Sequence, residues 1–583
     1  MHRNIAPCGS WKSPISSELI TMESVGLDQV KLRGDSIYWL ERRPAESGRC
    51  VIVCNGKKIR MDIIPSPYSA RSRVHEYGGG VYCVADQEIL FVNDSDQEIY
   101  RVARGATPKR LTHAPDCRFA DLYFDGTHNR IICVCEDHTN ADTEPANSLV
   151  AVDITTGAVD TLCQGRDFYS SPRMSPDAAS LSWLCWDHPN MPWDGTELWL
   201  ANIDESGLPT GSRKVAGSNR ISVFQPEWSP DNSLYFVTDE SGWWNLARLD
   251  DDGPNSLTSY KSEFGLPQWV FGQSTYAFSD NSLYCSRITD GVGQLSRLDL
   301  STLVLEDIKL AQNAFSSVTA NNDSVCFIAA SESSFSELIR LNIRDQSLDI
   351  ITRSCSTQID QGCISRGQSF RYQTRHHDGA YAIYYPPANQ AFEAPPGELP
   401  PLIVISHGGP TGATDASLDL RKQYWTSRGF AIVDVNYSGS TGYGRAYRER
   451  LLYNWGIRDV DDVCDAALYL ADKGLVDKNR LIIKGSSAGG YTVLAALTFH
   501  DTFSCGASYY GISDLETLLD ETHKFESRYT DLLVGDYPEN RQAYYDRSPI
   551  HFVDQLSCPV IFFQGLEDRV VPSSQAEKMV AAL

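Results

Sequence analysis

The chain has 583 residues, a formal net charge of −24 and a pI near 4.9. Its length exceeds what one hydrophobic core organises, so we expect two or more domains. The acidic balance argues against nucleic acid and against an anionic membrane surface as partners, because both attract a basic face. No apolar stretch approaches the roughly 20 residues of a membrane-spanning helix.

The sixteen cysteines are scattered without the paired spacing of a zinc site. The first 20 residues contain no apolar run of signal-peptide length. For a chain of this size, these two features predict reduced thiols in a cytoplasmic protein rather than a disulfide framework. The sequence leaves the oligomeric state open.

The first part of the chain, to about residue 350, consists of short strands and turns. A turn rich in Pro and Asp, a buried strand and a second strand with a polar end recur at a spacing of about 40–50 residues. Seven such units begin near Ile37, Tyr77, Phe119, Phe168, Val223, Trp269 and Phe315. This rhythm predicts a β-propeller of about seven blades and disfavours two unrelated β-sandwiches.

The pattern changes near residue 360, where strands begin to alternate with helices. Apolar runs that suit buried parallel strands lie at 402–406, 431–437, 481–484 and 560–564. Such alternation predicts a doubly wound, mostly parallel sheet. We therefore divide the chain into a propeller over 1–360 and an α/β domain over 361–583.

Residues 485–489 (GSSAG) match the G-x-S-x-G pattern, with an apolar run before them and a predicted helix over 490–499 after them. The serine of this motif lies at a tight turn between strand and helix, so its neighbours must be small. The turn places the hydroxyl at the positive end of the helix, where a developing oxyanion is stabilised. The alternative, a small-residue turn without function, does not explain this context. We predict an α/β-hydrolase domain with Ser487 as the nucleophile.

A second motif, residues 405–410 (ISHGGP), follows the apolar run at 402–406. In α/β-hydrolases the loop at this place supplies one oxyanion donor, and the residue after the nucleophile supplies the other. We predict that the backbone N–H groups of Gly409 and Ala488 are these donors. His407 is interpreted as a residue that holds the loop or lines the pocket, because the chain order in this fold is serine, acid, histidine.

A third motif, residues 560–572 (VIFFQGLEDRVVP), carries an acid just after a buried strand. An acid in this place accepts a hydrogen bond from the catalytic histidine and holds it in one tautomer. Asp568 follows Ser487 in the required chain order and is our predicted acid. The neighbouring Glu567 is the alternative.

Several stretches resemble the prolyl oligopeptidase family of serine peptidases, closest to its acylaminoacyl-peptidase and dipeptidyl-peptidase-like branch. They are residues 407–410, 436–444, 455–462, 485–490 and 565–572, together with 74–80 (VHEYGGG) and 186–193 (WDHPNMPW) of the propeller part. The resemblance covers nearly the whole chain. It implies cleavage of short or acylated peptides through an acyl-enzyme intermediate, without metal or cofactor, under a propeller that restricts access to small substrates.

The resemblance also implies a catalytic histidine well beyond the acid, and here the sequence departs from the pattern. None of its twelve histidines follows Asp568, and the chain stops within an amphipathic helical pattern. We interpret it as a C-terminally truncated catalytic domain, from which we expect little or no turnover. The alternatives are a natural pseudoenzyme and a replacement base such as His523 or His551.

Three functions are open at this point. The first is a serine peptidase; the second is an esterase or amidase on the same scaffold; the third is a non-catalytic propeller that binds partner proteins. Exopeptidase and endopeptidase action are equally open. An exopeptidase that holds a free α-amino group needs an acid for it, and Glu227, Glu240 and Glu263 are unranked candidates that also suit ordinary blade positions.

Overall fold

The computed structural model describes residues 3–21, 24–56, 59–86 and 88–583. The part from residue 26 to residue 353 forms seven four-stranded antiparallel sheets, each built from one contiguous segment. These sheets are the blades of a propeller. The predicted seven-bladed propeller is confirmed.

The strands of blades 1 to 4 are Gly26–Arg33, Ser36–Arg43, Arg49–Gly56 and Ile59–Asp62; Tyr82–Val84, Glu88–Val92, Ile99–Ala103 and Lys109–Arg110; Cys117–Asp125, Arg130–Asp137, Ala146–Asp153 and Val159–Gln164; Phe168–Met174, Ser180–Trp186, Glu197–Ile203 and Pro209–Gly217. The strands of blades 5 to 7 are Val223–Trp228, Leu234–Thr238, Asn245–Asp250 and Gly253–Ser256; Tyr276–Ser279, Ser282–Thr289, Val292–Asp299 and Leu305–Asp307; Ala314–Ala320, Ser324–Ala330, Glu337–Asn342 and Leu348–Arg353.

Blades 1 and 7 meet without exchanging a strand. Side chains join them instead: the backbone N–H of Gln29 donates to Ser317 Oγ over 3.2 Å, and Arg60 donates to Thr352 Oγ1 over 3.1 Å. Buried residues of both blades also share one hydrophobic cluster. The ring is therefore closed by packing and by side-chain hydrogen bonds.

Two chain segments, which precede the first strands of blades 2 and 6, meet across the ring. Gly79 forms a bridge with Phe271, whose N–H donates to the carbonyl of Gly78 over 2.9 Å. A Cβ on Gly272 would lie 2.9 Å from the Cα of Gly80. Blades 2 and 6 are not neighbours in the ring, so this contact crosses the axis and needs glycine for its close approach.

The second domain contains a seven-stranded sheet. In spatial order its strands are Gln368–Gln373, Gly379–Tyr385, Ala431–Asn436, Leu402–Ser406, Leu481–Ser486, Cys505–Tyr509 and Val560–Phe563. The last five are parallel, and the first two are antiparallel to their neighbours. This is the predicted α/β-hydrolase sheet, and all four predicted parallel strands are present.

One central strand, Cys505–Tyr509, was not predicted, because its sequence (CGASY) lacks an apolar run. Its small residues have a packing reason. A Cβ on Gly506 would lie only 2.6 Å from Leu497 Cδ1 of the helix that crosses the sheet. Because the helix packs so closely, this strand has small residues in place of the apolar run by which buried strands are recognised.

The α-helices of the described residues are Ser17–Thr21, Leu420–Thr426, Arg445–Arg448, Arg458–Asp472, Ala488–Phe499, Leu515–Glu521, Tyr529–Leu533, Arg541–Asp546 and Ser573–Ala582. Short 3₁₀ turns occupy Pro44–Glu46, Gln361–Cys363, Glu449–Leu451, Lys524–Glu526 and Pro549–Gln555. Within the described residues, no helix is long and apolar enough to cross a membrane.

The N-terminal segment differs from the predicted propeller domain of residues 1–360. Strand Asn4–Ile5 pairs in parallel with Phe392–Glu393, and Arg428 donates to the carbonyl of Ile15 over 2.9 Å. The backbone groups of this segment form hydrogen bonds with the second domain, which is the α/β domain, rather than with a blade. The division at residue 360 otherwise stays a prediction.

Candidate active site

Ser487 lies at a sharp turn between strand Leu481–Ser486 and helix Ala488–Phe499. Its backbone has φ 55° and ψ −123°, and its N–H donates to the carbonyl of Tyr509 over 3.0 Å. A positive φ is strained for a residue with a Cβ and persists only where the surroundings hold it. This is the strained turn expected of a nucleophile in an α/β-hydrolase.

The two glycines of the motif are required by close backbone contacts. A Cβ on Gly485 would lie 2.3 Å from the carbonyl oxygen of Gly489, and one on Gly489 would lie 2.2 Å from that of Ser406. Real Cβ atoms do not approach oxygen so closely. The strand, the turn and the neighbouring strand therefore pack at a distance that only glycine permits at both positions.

The helix after Ser487 is supported by a buried acid of the 455–462 motif. Asp459 accepts from Thr492 Oγ1 over 2.7 Å and from the N–H of Gly456 over 2.7 Å. Burial raises the pKa of Asp459 to about 6. The motif thus joins helix Arg458–Asp472 to the nucleophile helix.

Ser487 lines a cleft between the seven-stranded sheet and the segment from residue 512 to residue 533. The predicted oxyanion donors Gly409 and Ala488 line the same cleft. Ala488 is the first residue of its helix, so its N–H has no acceptor within the helix. The apolar wall consists of Pro410, Trp455, Ile512, Leu518, Leu519, Leu533, Val570 and Val571. The structure therefore brings the three predicted residues together, and their roles stay predictions.

Both ring nitrogens of His407 contact neighbouring groups of the loop and its surroundings, which disfavours a role as the catalytic base. Nδ1 lies 2.8 Å from the carbonyl oxygen of Gly408, and Nε2 lies 2.8 Å from Ser440 Oγ. Because a carbonyl only accepts, Nδ1 carries the proton. The ring stacks on Tyr437 at 4.3 Å, and burial lowers the pKa of His407, which favours the neutral ring. These contacts hold the loop that carries Gly409.

The predicted acid lies in the loop after the outer strand Val560–Phe563. Asp568 Oδ1 accepts from the N–H of Val570 over 2.9 Å and from that of Val571 over 3.0 Å. Both of these valines line the cleft with Ser487. The rival Glu567 is exposed. The loop therefore contributes to the wall of the cleft, and its residue Asp568 is half-buried.

The two histidines considered as replacement bases occupy other places. His523 is partly buried with Nε2 at 3.3 Å from Glu526 Oε2, and His551 is exposed and stacks on Tyr545 at 4.2 Å. Neither histidine is among the described residues that line the cleft with Ser487. The structure does not bring these two candidates together with the nucleophile.

The three acids considered for α-amino recognition also lie outside this cleft. Glu227 accepts from Arg173 over 2.8 Å inside the propeller, and Glu240 is exposed. Glu263 is buried and accepts from the N–H of Gly444 over 3.0 Å. It therefore joins the two domains rather than lining the site.

Two groups of contacts join the propeller to the second domain. Asp239 of blade 5 accepts from Arg445 over 2.7 Å and from Arg448 over 2.8 Å, both on the second domain. Trp269 donates its indole N–H to the carbonyl of Thr411 over 2.6 Å. Neither contact carries a local sequence signal, because each joins residues far apart in the chain.

The segment that covers the cleft from the second domain was missed by sequence reasoning. It runs from residue 512 to residue 533 and supplies eight lining residues, among them Glu526 and Tyr529. Tyr77, within the 74–80 motif of the propeller, donates to Glu526 Oε1 over 3.0 Å. The sequence shows the charged and aromatic residues of these two stretches, but it does not show that the stretches contact each other.

Comparison with known proteins agrees with this architecture over the whole chain. A puromycin-hydrolyzing peptidase from Mycobacterium tuberculosis shares 37% identity and a TM-score of 0.97, covering 100% of this chain and 92% of that one. A puromycin hydrolase shares 34% identity and a TM-score of 0.95, covering 99% of this chain and 91% of that one.

The catalytic part alone matches a family profile and curated relatives. The profile of the prolyl oligopeptidase family matches residues 416–583. Dipeptidyl peptidase family member 6 of Caenorhabditis elegans is 32% identical over 189 residues, which are 31% of this chain and 26% of that protein. The chain thus spans about a quarter of the length of this curated relative.

A seven-bladed propeller above an α/β sheet with a strained serine turn defines a propeller-capped hydrolase of the serine peptidase class. The chain belongs to the prolyl oligopeptidase family. The resemblance stated from the sequence motifs is confirmed.

Proposed function

We propose that this protein is a serine peptidase that hydrolyses short peptides or acylated peptides through an acyl-enzyme at Ser487. The observation that carries the proposal is the strained turn of Ser487, which lines a mostly apolar cleft together with Gly409 and Ala488. Such turns present a nucleophile to a substrate carbonyl. The names of the relatives, which are peptidases, support the same reading.

In this proposal Ser487 Oγ attacks the scissile carbonyl and gives its proton to a base. The N–H groups of Gly409 and Ala488 donate to the oxyanion that forms, and Asp568 orients the base. The resemblance implies that the base is a histidine. The protonated base then gives its proton to the leaving amine, the scissile C–N bond breaks and the acyl-enzyme remains. Water, activated by the same base, hydrolyses the acyl-enzyme to the free acid and regenerates the serine.

A backbone contact across the propeller supports a preference for short substrates. Residues 78–80 meet residues 271–272 across the ring and obstruct a path along its axis, and we propose that peptides enter between the two domains. We propose that length, more than sequence, limits which peptides are cleaved.

We further propose a reducing, cytoplasmic location and no nucleic-acid partner. All sixteen cysteines are free, including the half-buried Cys117 and Cys163. Free thiols in this number suit a reducing compartment. The net charge of −24 opposes binding to a polyanion.

The test uses the protein expressed from its natural gene. A fluorophosphonate probe should label it at one serine, Ser487, and the label should be found in the peptide that carries residues 485–489. Turnover is then compared on a dipeptide amide, its N-acetylated form and a simple ester of the same side chain. Absence of the label, or turnover of the ester alone, would contradict the proposal.

A further inference from the structure

The propeller contains a cavity of about 510 Å³, and all of its described lining residues belong to the propeller. Each of the seven blades contributes residues from its first strand or from the segment next to that strand. The cavity therefore lies around the axis of the ring, and we call it the axial cavity. None of its described lining residues lines the cleft of Ser487. Its volume is within the range of small-molecule sites.

The first strands of five blades carry the same irregularity where they line the axial cavity. In each of them, one residue with a φ between 47° and 54° interrupts the register with the second strand. A β-bulge of this kind bends the strand and re-aims the side chains beside it. The bulged residues are Gln29, Asp121, Ser171, Gln225 and Ser317.

The bulged residues themselves contribute to the fold by joining neighbouring blades. Gln29 Oε1 accepts from the N–H of Val81 over 3.0 Å, and Gln225 Oε1 accepts from the N–H of Thr275 over 2.7 Å. The residues two positions further along share no such role, although all five of them line the axial cavity. They are Lys31, Tyr123, Arg173, Glu227 and Thr319.

Most of the charged side chains in the wall already have a counter-charge. Arg173 Nε donates to Glu227 Oε1 over 2.8 Å, and Arg173 Nη1 lies 3.9 Å from Asp121 Oδ1. Arg33, at the surface, pairs with Asp86. The two carboxylates of the wall are thus used to compensate Arg173, which leaves Lys31 to be accounted for.

Lys31 differs from these cations in having no such partner. Within the described part of the chain, its ammonium group forms no hydrogen bond and no ion pair, and it lies 5.5 Å from the ring centroid of Tyr82. Burial lowers the pKa of Lys31 and Arg173 lowers it further, whereas nearby acidic groups act in the opposite direction. An ammonium group withdrawn from bulk water is costly unless a counter-charge compensates it.

The rest of the wall indicates what kind of anion fits. Val30, Phe124, Trp228 and Phe278 give it an apolar and aromatic surface, which suits the body of an organic molecule. Asp121 and Glu227 repel a second negative charge. The wall therefore favours a ligand with one negative charge at one end and an apolar remainder.

We propose that the axial cavity binds a small organic monocarboxylate, whose carboxylate pairs with Lys31 and whose apolar body packs on the surrounding wall. The carboxylate belongs either to a free small acid or to the C-terminus of a peptide. The site is separate from the cleft, and it does not depend on the proposed role of Ser487.

The test measures binding by isothermal titration in the full chain carrying Ser487→Ala, which prevents cleavage of peptides. The probes are 4-phenylbutyrate, its neutral amide 4-phenylbutyramide, and phenyl phosphate. The acid should bind with a Kd below about 1 mM. The amide should bind at least about tenfold more weakly, because it lacks the charge that pairs with Lys31. Phenyl phosphate, which carries a second negative charge, should bind no more tightly than the acid.

Four variants of this chain locate the binding site. Lys31→Gln should weaken 4-phenylbutyrate by about tenfold or more, whereas Lys31→Arg keeps the charge and should stay within about threefold. Lys309→Gln removes an exposed lysine of the propeller and should change nothing. Glu227→Gln leaves Arg173 with less counter-charge and should tighten the binding of the acid. Circular dichroism checks that each variant is folded.

A second set of probes identifies the source of the carboxylate. N-acetyl-Gly-Gly-Phe is compared with its C-terminal amide, in the parent and in Lys31→Gln. A loss of affinity in Lys31→Gln for the peptide acid alone supports the site and assigns it to peptide C-termini. A loss for 4-phenylbutyrate but for neither peptide supports the site and assigns it to free small acids.

Three results would overturn the proposal. The first is equal affinity for 4-phenylbutyrate and its amide, or no measurable binding of either. The second is an unchanged affinity for the acid in Lys31→Gln. The third is a loss in Lys31→Arg as large as that in Lys31→Gln, which would make the shape of the lysine rather than its charge responsible.

Discussion

The two parts of the predicted catalytic apparatus differ in how the fold encloses them. The nucleophile turn lies between central strands, and the helix that follows is buried from Ala488 to Thr498. The acid loop follows the outermost strand of the described sheet, where Phe563 is 43% exposed and Leu566 is 85% exposed. The turn is held by backbone contacts on every side, whereas the loop is held mainly by its own hydrogen bonds.

This difference teaches where a single substitution acts. At the turn, chemistry and folding are coupled, because Gly485 and Gly489 are needed to bring the backbone close. At the acid loop, the charge of Asp568 is separable from the fold, because a neutral side chain with the same oxygen can still accept from the N–H groups of Val570 and Val571. The predictions that follow test this contrast in order of decreasing effect.

The largest effect is expected for Ser487→Ala in the protein expressed from its natural gene. Loss of the nucleophile should lower kcat for a peptide amide by about 10⁶-fold, because members of such a catalytic unit act together. Fluorophosphonate labelling should vanish, while the neighbouring Ser486→Ala should keep it. Labelling that persists in Ser487→Ala would place the nucleophile elsewhere.

A smaller loss is expected for Asp568→Asn. The asparagine keeps an oxygen for the N–H groups of Val570 and Val571, so the loop should stay in place. The charge that orients the base is lost, and kcat should fall by about 10⁴-fold. Steady-state kinetics and circular dichroism measure the two parts separately. A fall in kcat of less than tenfold would remove Asp568 from the site.

The next comparison concerns stability and uses two glycines. Gly489→Ala forces a Cβ to 2.2 Å from the carbonyl oxygen of Ser406, so the free energy of unfolding should fall by about 3 kcal/mol or more. Gly565→Ala meets nothing within 4 Å, so its effect should stay within about 0.5 kcal/mol. Urea denaturation followed by tryptophan fluorescence measures both. Equal effects would contradict the contrast between the two regions.

The smallest effect is expected for Glu567→Gln. This side chain is exposed beside Asp568, so removal of its charge should change kcat/KM by less than about threefold. The same kinetic assay applies. A loss as large as that of Asp568→Asn would exchange the roles of the two acids.

Local patterns in the sequence determined several features of this protein. The repeating turn and strand units predicted seven blades, and G-x-S-x-G between a strand and a helix predicted the turn at Ser487. Both succeeded because the geometry is encoded by residues that are close in the chain: small residues where the backbone packs tightly, and apolar runs where a strand is buried.

The tertiary structure alone decided the features that depend on distant residues. The strand Cys505–Tyr509 has small residues because a helix lies against it, so its own pattern is uninformative. Glu526 lines the cleft and accepts a hydrogen bond from Tyr77 OH, which is 449 positions away in the chain. Contacts of this kind form only when two domains pack, and no local spacing encodes which side chains meet there.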